Sequence, residues 1–291
     1  MSRNRDVQIH TFSLCFAFIV DGFIYLIALI AIVGLGSVLL YMGLMSLFYG
    51  MEATAIEAGA GNMWKHFYRR RKLPLSQLAL LQQKFTYYKR LSANNQQRFE
   101  TRLVHILGKL DIEGRNELLV TEEKRVLLAA CLAKLTFGYR QFHITGFHKI
   151  ILYPETYYSH QTNSVNKGET HISGIVVLSW KDTLAGLAIE DDNLHLALHE
   201  FAHALYLAHK RQSGVDQRFS LHWPMWLAYV QNETNIEKLR EADFIREYAF
   251  ANQAELFACM VEAFFESPGK FSQLHPNLFR IMSMLLNQQR V

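Results

Sequence analysis

Five consecutive residues, His199-Glu200-Phe201-Ala202-His203, carry the most legible chemistry in this chain. On a helix, positions i and i+4 lie one turn apart on one face, so His199 and His203 can point two imidazoles at one metal ion. Glu200 lies beside the pair, close enough to serve as base for an attacking water. That combination is the logic of zinc hydrolysis on an H-E-x-x-H helix. The flanks support the helix: Leu194, Ala197, Leu198, Phe201, Ala202 and Leu205 recur at helical spacing, and Asp191, Asp192 and Asn193 offer capping chemistry before it. A plainer reading makes the two histidines half-buried and bonded to backbone. It leaves Glu200 without a purpose.

A catalytic zinc takes three protein ligands, so a third must come from elsewhere. His209 stands six residues after His203, the metzincin spacing, but Tyr206 occupies the place where that motif needs a glycine. Six helical residues also rotate His209 about 120° off the His203 face. It reads instead as a histidine at a helix C-terminus, where the helix dipole favours it. His195 is about 12 Å along the helix axis from His203, too far for both to meet one ion with His199. The other source is the stretch 248–269, in which Phe257, Met260, Val261 and Phe264 form the apolar stripe of a second helix that Pro268 and Gly269 stop. Glu255, Cys259, Glu262 and Glu266 share an opposite or flanking face. A carboxylate from this helix would complete a His2Glu site. Alternatively, Glu255 completes a capping box begun by Asn252 and Glu262 is solvated. Helix geometry alone does not choose between Glu255 and Glu262.

Residues 174–186 (GIVVLSWKDTLAG), 199–205 (HEFAHAL) and 248–268 (YAFANQAELFACMVEAFFESP) resemble the Mlc titration factor A family of zinc peptidases, glucose-regulated metallopeptidases with a lethal-factor-like catalytic core. The shorter pieces YKRLS at 88–92, RVLLAA at 125–130 and ILYP at 151–154 are similar in order and spacing. The resemblance runs over residues 75–286. It implies that the third zinc ligand is Glu255, that Tyr248 lies near the metal as a stabiliser of the transition state, and that the activity is peptide hydrolysis, aminopeptidase-like on short substrates. Where the family follows H-E-F-A-H with a polar or basic residue and then Leu-Asp, this chain has Ala204-Leu205-Tyr206. The loop between the two metal-binding segments is also somewhat short. Both departures touch the rim of the groove more than the ligands.

The elements that must position these residues read as a helix-rich α+β domain. Residues 75–110 form two helices broken near 92–95, and residues 117–120 a short strand leading to a helix capped by Thr121. Residues 125–136 continue that helix, and 149–153 and 174–179 are β-branched runs of strand length. Residues 157–170 are polar and read as a loop. About 230 residues, half of them apolar, can bury one core. The expected organisation is therefore a zincin-like metallopeptidase domain over residues 61–291 behind an N-terminal membrane anchor over residues 1–60.

That anchor is expected from composition: residues 11–51 carry one formal charge, Asp21. Residues 23–49 favour a single transmembrane span, too long for a signal-peptide h-region; a two-span hairpin turning at 34–36 would bury Asp21 in lipid. Arg3 and Arg5 precede it, and Lys65, Arg69, Arg70, Arg71 and Lys72 follow. The positive-inside rule then predicts a bacterial inner-membrane protein with a cytoplasmic catalytic domain. The basic-aromatic run at 64–72, directly after the expected span, is expected to meet anionic lipid and not nucleic acid, for which a net charge of +4 is too modest to argue. Three cysteines, Cys15, Cys131 and Cys259, imply no disulfide framework. The expected partners are a peptide or protein substrate and the membrane. The rival expectation is a regulatory binding protein that sequesters a transcription factor or membrane partner, with zinc structural or vestigial.

Overall fold

A computed structural model describes residues 36, 37, 40, 72–212 and 214–288. Residues Arg71–Val291 form one compact unit. It opens with helices α1 (Leu75–Lys84), α2 (Thr86–Arg90) and α3 (Ala93–Leu107). The expected break at 92–95 is the Ser92 turn into α3, and a second break falls at Phe85, whose ring is buried against Phe99. Helix α4 (Glu122–Thr136) is capped by the Thr121 hydroxyl, as its sequence predicts. Every residue from Val126 to Thr136 is buried, so this helix is the centre of the core and not a surface element.

A four-stranded sheet lies beside it in the order β1 (Asp111–Gly114), β2 (Lys149–Tyr153), β6 (Ile175–Ser179), β5 (Gly168–Thr170). The first three strands are parallel, and β5 closes the edge antiparallel to β6. Ile150, Leu152, Val176 and Leu178 are fully buried, which the β-branched runs at 149–153 and 174–179 anticipate. Two expectations are corrected here. The strand lies at Asp111–Gly114, whereas Asn116 and Glu117 take left-handed backbone and turn the chain before Thr121. Residues 157–170 are not a plain loop: β3 (Tyr157–Ser159) and β4 (Ser164–Asn166) form a hairpin, and β5 joins the sheet. Their polar composition reflects strands with one face or edge open, a pattern that single-sequence periodicity reads as loop.

After β6 come α5 (Trp180–Ala188), α6 (Leu196–Lys210), α7 (Gln217–Val230) and α8 (Glu233–Glu241). A 3-10 turn (Glu247–Ala251), α9 (Gln253–Glu266), α10 (Pro268–Leu274) and α11 (Pro276–Leu285) complete the chain. Helix α9 packs along α6, and α4 and the edge strand β5 pack on other sides of α6. Phe201, Leu198, Ala202 and Leu205 face that interior and are buried, as their spacing predicts. Leu194 lies before the helix and stays exposed. The N-cap is His195, whose Nδ1 accepts from Leu198 N–H at 3.4 Å, and not one of residues 191–193.

The transmembrane expectation over residues 23–49 is also corrected, together with the single-pass inner-membrane localisation built on it. No helix among the described residues is long and apolar enough to cross a membrane. The longest, α3, α4 and α6, have 15 residues each. They rise only about 22 Å against a hydrocarbon core of roughly 30 Å. Apart from 36, 37 and 40, the residues of the proposed span lie outside the described residues, as does the expected boundary at 60/61.

One aromatic cluster ties α7 to α9. Phe257 is fully buried and meets Phe219, Trp223 and Trp226 edge-on, at ring distances of 5.7, 5.5 and 5.7 Å. Phe257→Ala should therefore cost about 3–5 kcal/mol of unfolding free energy. Chemical denaturation of the variant against the parent chain checks this; a loss under about 1 kcal/mol would mean that the cluster is not part of the core.

Candidate metal centre

Helix α6 presents His199 and His203 one turn apart, with rings edge to face at 4.7 Å and their Nε2 atoms 3.1 Å from each other. Helix α9 begins where Asn252 caps it, accepting from Ala254 N–H at 2.9 Å and Glu255 N–H at 3.0 Å. The cap predicted from sequence is real, but the Glu255 carboxylate turns away from it toward the histidines. Its Oε2 is 3.1 Å from His199 Nε2 and its Oε1 is 3.4 Å from His203 Nε2. Glu262, two turns further along α9, meets the other side of the same ring: His199 Nδ1 donates to its Oε2 at 2.9 Å. It is buried, not solvated, and also accepts from His195 N–H at 2.8 Å and from Arg246. The acidic face of α9 is thus its interface with α6.

Among the described residues, two sets of donors could hold a metal ion. One is His199, His203 and Glu255; the other is His199, Cys259 and Glu262. Zinc with four ligands at 2.0–2.1 Å needs donors roughly 3.3–3.4 Å apart. In the first set the two Nε2 atoms are 3.1 Å apart and the Glu255 carboxylate spans them, Oε2 at 3.1 Å from His199 and Oε1 at 3.4 Å from His203, close to that requirement. With Nδ1–H donating to Glu262, Nε2 is the His199 nitrogen that would offer a metal its lone pair once its own proton is displaced. The second set fits less well: its His199 nitrogen is the one carrying the proton, and Arg246 already holds Glu262 and lies 3.4 Å from Cys259 Sγ.

Glu200 is buried beside this centre. Thr170 of β5 places its hydroxyl 2.8 Å from Glu200 Oε2 and 2.9 Å from the Glu200 backbone oxygen. Gly168 is required at the start of the same strand. A Cβ there would come within 2.5 Å of Glu200 Oε1, 2.8 Å of its Cγ and 2.8 Å of Leu196 Cδ1. Ser179 N–H donates to Lys167 O at 2.7 Å and His171 N–H to Ile175 O at 2.8 Å on either side of the Glu169–Val177 pair. By the alternation of an antiparallel ladder, Gly168 and Thr170 therefore turn their backbone groups to the open edge. That edge, His199, Glu200, His203, Tyr248 and Arg246 line one cleft of ≈ 820 Å³. Tyr248 stands on the 3-10 turn, is 61% exposed and lines the cleft, outside the core. His209 is elsewhere, in the last turn of α6 against Phe219 and Trp223.

Sequence reasoning missed Thr170, Gly168 and Arg246. Thr170 and Gly168 belong to a three-residue strand that exists only through pairing with β6. Arg246 precedes Tyr248 by two residues, a proximity to the tyrosine that is its one legible hint.

Charge at the centre is unevenly set. Burial pushes Glu200 up, against the charges of His203 and His199, so it holds a proton more readily than an ordinary carboxylate. Burial also raises the Tyr248 phenol, and the neighbouring Glu255 carboxylate adds to this. Without metal, burial works against ionisation of Glu255, but hydrogen bonds to His199 and His203 outweigh it and hold Glu255 well below the carboxylate range. For His199, burial works against the charged ring, and hydrogen bonds to Cys259, Glu255 and Glu262 hold it well above the histidine range. Because the Glu255 value is lowered on folding, its stabilisation is present above about pH 4.3 and lost as pH falls through the folded value. Because the His199 value is raised, its stabilisation is full below about pH 6.5 and lost as pH rises through the folded value. In metal-stripped protein, the stability gap between the parent chain and Glu255→Gln should peak between about pH 4.3 and 6.5. Urea titrations at stepped pH measure the gap, and one that does not vary with pH would contradict the pairing.

The sequence model of the glucose-regulated metallopeptidases M90 matches residues 62–286. An uncharacterized protein of Synechocystis sp. is 25% identical over 238 residues, 73% of this chain and 83% of the relative. Mlc titration factor A of Escherichia coli O7:K1 is 30% identical over 174 residues, and that of Shigella flexneri 29% over 174, each 54% of this chain. The chain spans 64% of the length of these two titration factors. The family match takes in every residue of the centre, from Gly168 on the edge strand to Glu262 on α9. The chain belongs to the glucose-regulated metallopeptidase M90 family, a membership that implies a metal in a metallopeptidase-like domain.

Proposed function

We propose that residues 61–291 form a zinc-dependent peptidase domain, with one zinc ion held by His199, His203 and Glu255. The observation that carries this reading is the convergence of two imidazole nitrogens, 3.1 Å apart, and the Glu255 carboxylate, whose two oxygens lie 3.1 and 3.4 Å from them, beside a buried carboxylate, Glu200, that makes none of these contacts. Zinc in that position supplies a Lewis acid, which acidifies an attacking water and polarises the substrate carbonyl. The remaining chemistry belongs to the chain. Glu200 takes the proton of the water and passes it to the leaving amine, a task suited to a carboxylate whose proton affinity is raised by burial. Thr170 holds the Glu200 side chain toward the cleft, and Gly168 leaves room for it. Tyr248 donates its hydroxyl to the developing oxyanion. The open edge of β5 supports an extended peptide as its substrate, because main-chain pairing fixes a backbone whatever its side chains.

A second reading is supported by the name of the titration factors: a protein partner that this domain binds. Substrate and partner are then distinguished by whether the bound chain is cut.

The purified chain should carry one zinc per molecule. His203→Ala and Glu255→Gln should lose most of it, and His209→Ala should keep it. Metal analysis after dialysis decides; zinc lost on His209→Ala but kept on Glu255→Gln would overturn the ligand set. Glu200→Gln should keep zinc and fold but lower peptide hydrolysis by roughly 10²–10⁴. Tyr248→Phe should lower it by about 10–10³. A zinc-loaded parent chain that cuts nothing in a broad peptide panel would favour the binding role.

A further inference from the structure

Resting on the zinc site proposed above, we infer that Glu262 and Arg246 are a positioning pair that sets how tightly His199 holds the metal. Glu262 is 1% exposed and gathers three donors: His199 Nδ1–H, the His195 backbone N–H and the Arg246 guanidinium. The first bond fixes the tautomer of His199 and the plane of its ring. A carboxylate partner at Nδ1 also strengthens Nε2 as a donor. The second bond fixes the start of α6, so the ring and the helix that carries it are located by one side chain.

A buried carboxylate needs a counter-charge, and Arg246 supplies it from the wall of the cleft. Arg246 is also the N-cap of the 3-10 turn, with Ala249 N–H donating to its backbone oxygen at 2.9 Å. The segment that brings Tyr248 to the cleft therefore also carries the cation that pairs with Glu262. Neither residue touches the reacting atoms; both act through His199.

The same helix end provides an internal control. Glu266, one turn after Glu262, accepts from Leu194 N–H at 3.1 Å. It anchors the approach to α6 without meeting either histidine. If Glu262 served only to anchor that end, the two glutamates would have the same effect on metal binding.

The test is zinc affinity of the full chain, measured by chelator competition and paired with thermal unfolding. Glu262→Gln should weaken zinc roughly 10–100-fold. Arg246→Gln should weaken it by a smaller factor, about tenfold, and Arg246→Lys should regain most of that. Glu266→Gln should lower the unfolding midpoint and leave zinc affinity unchanged. The inference is overturned if folded Glu262→Gln and Arg246→Gln hold zinc like the parent, or if Glu266→Gln weakens it as much as Glu262→Gln. Should Glu262→Gln not fold, Arg246→Gln decides alone, since that side chain is 39% exposed at the cleft wall. A parent chain that binds no zinc would instead bring down the proposed site itself.

Discussion

The imidazole of His199 is gripped at both nitrogens by carboxylates of one helix, and the architecture follows from that grip. Glu255 meets Nε2 and Glu262 meets Nδ1, seven residues apart on α9 and therefore on one face of it. Such a ring cannot rotate, and its helix cannot slide along α9 without losing one bond or the other. Setting one buried and one half-buried carboxylate against a histidine is costly unless each finds charge and hydrogen bonds. Here Glu262 finds Arg246 and a backbone amide, and Glu255 finds His199 and His203. A divalent cation between Glu255 and the two Nε2 atoms would satisfy donors that otherwise must share protons.

The sheet enters the centre through its edge strand. In β5 the residues at alternate positions, Gly168 and Thr170, face Glu200, one by having no side chain and the other by offering a hydroxyl. The intervening Glu169 spends its backbone on Val177 of β6. One short strand thus positions the carboxylate and keeps an open edge beside it. An antiparallel edge on an otherwise parallel sheet is what lets those two tasks share three residues.

What was legible in the sequence was local. The i, i+4 spacing of His199 and His203 lies within one turn of one helix, and five of its six apolar neighbours are buried as their spacing predicts, Leu194 before the helix being the exception. The Thr121 and Asn252 caps were equally local, and both form. The choice between Glu255 and Glu262 was not legible, because both lie on the same face of α9. Only the height of α9 against α6 decides which nitrogen each one meets, and that height is a tertiary quantity. Strand β5 was hidden for the same reason: three polar residues have no periodicity, and their partner strand lies beyond a turn. The apolar composition of residues 23–49 pointed to a bilayer span, yet no described helix has the length and apolarity to cross one.

The centre rests on the metal lying on the Nε2 side of His199, among nitrogen and oxygen donors, and not on the Nδ1 side beside Cys259. X-ray absorption at the zinc edge of the purified chain reads this directly. The expected first shell contains only nitrogen and oxygen scatterers at about 2.0–2.1 Å. A sulfur scatterer at about 2.3 Å would put the ion on Cys259 and contradict the proposed centre.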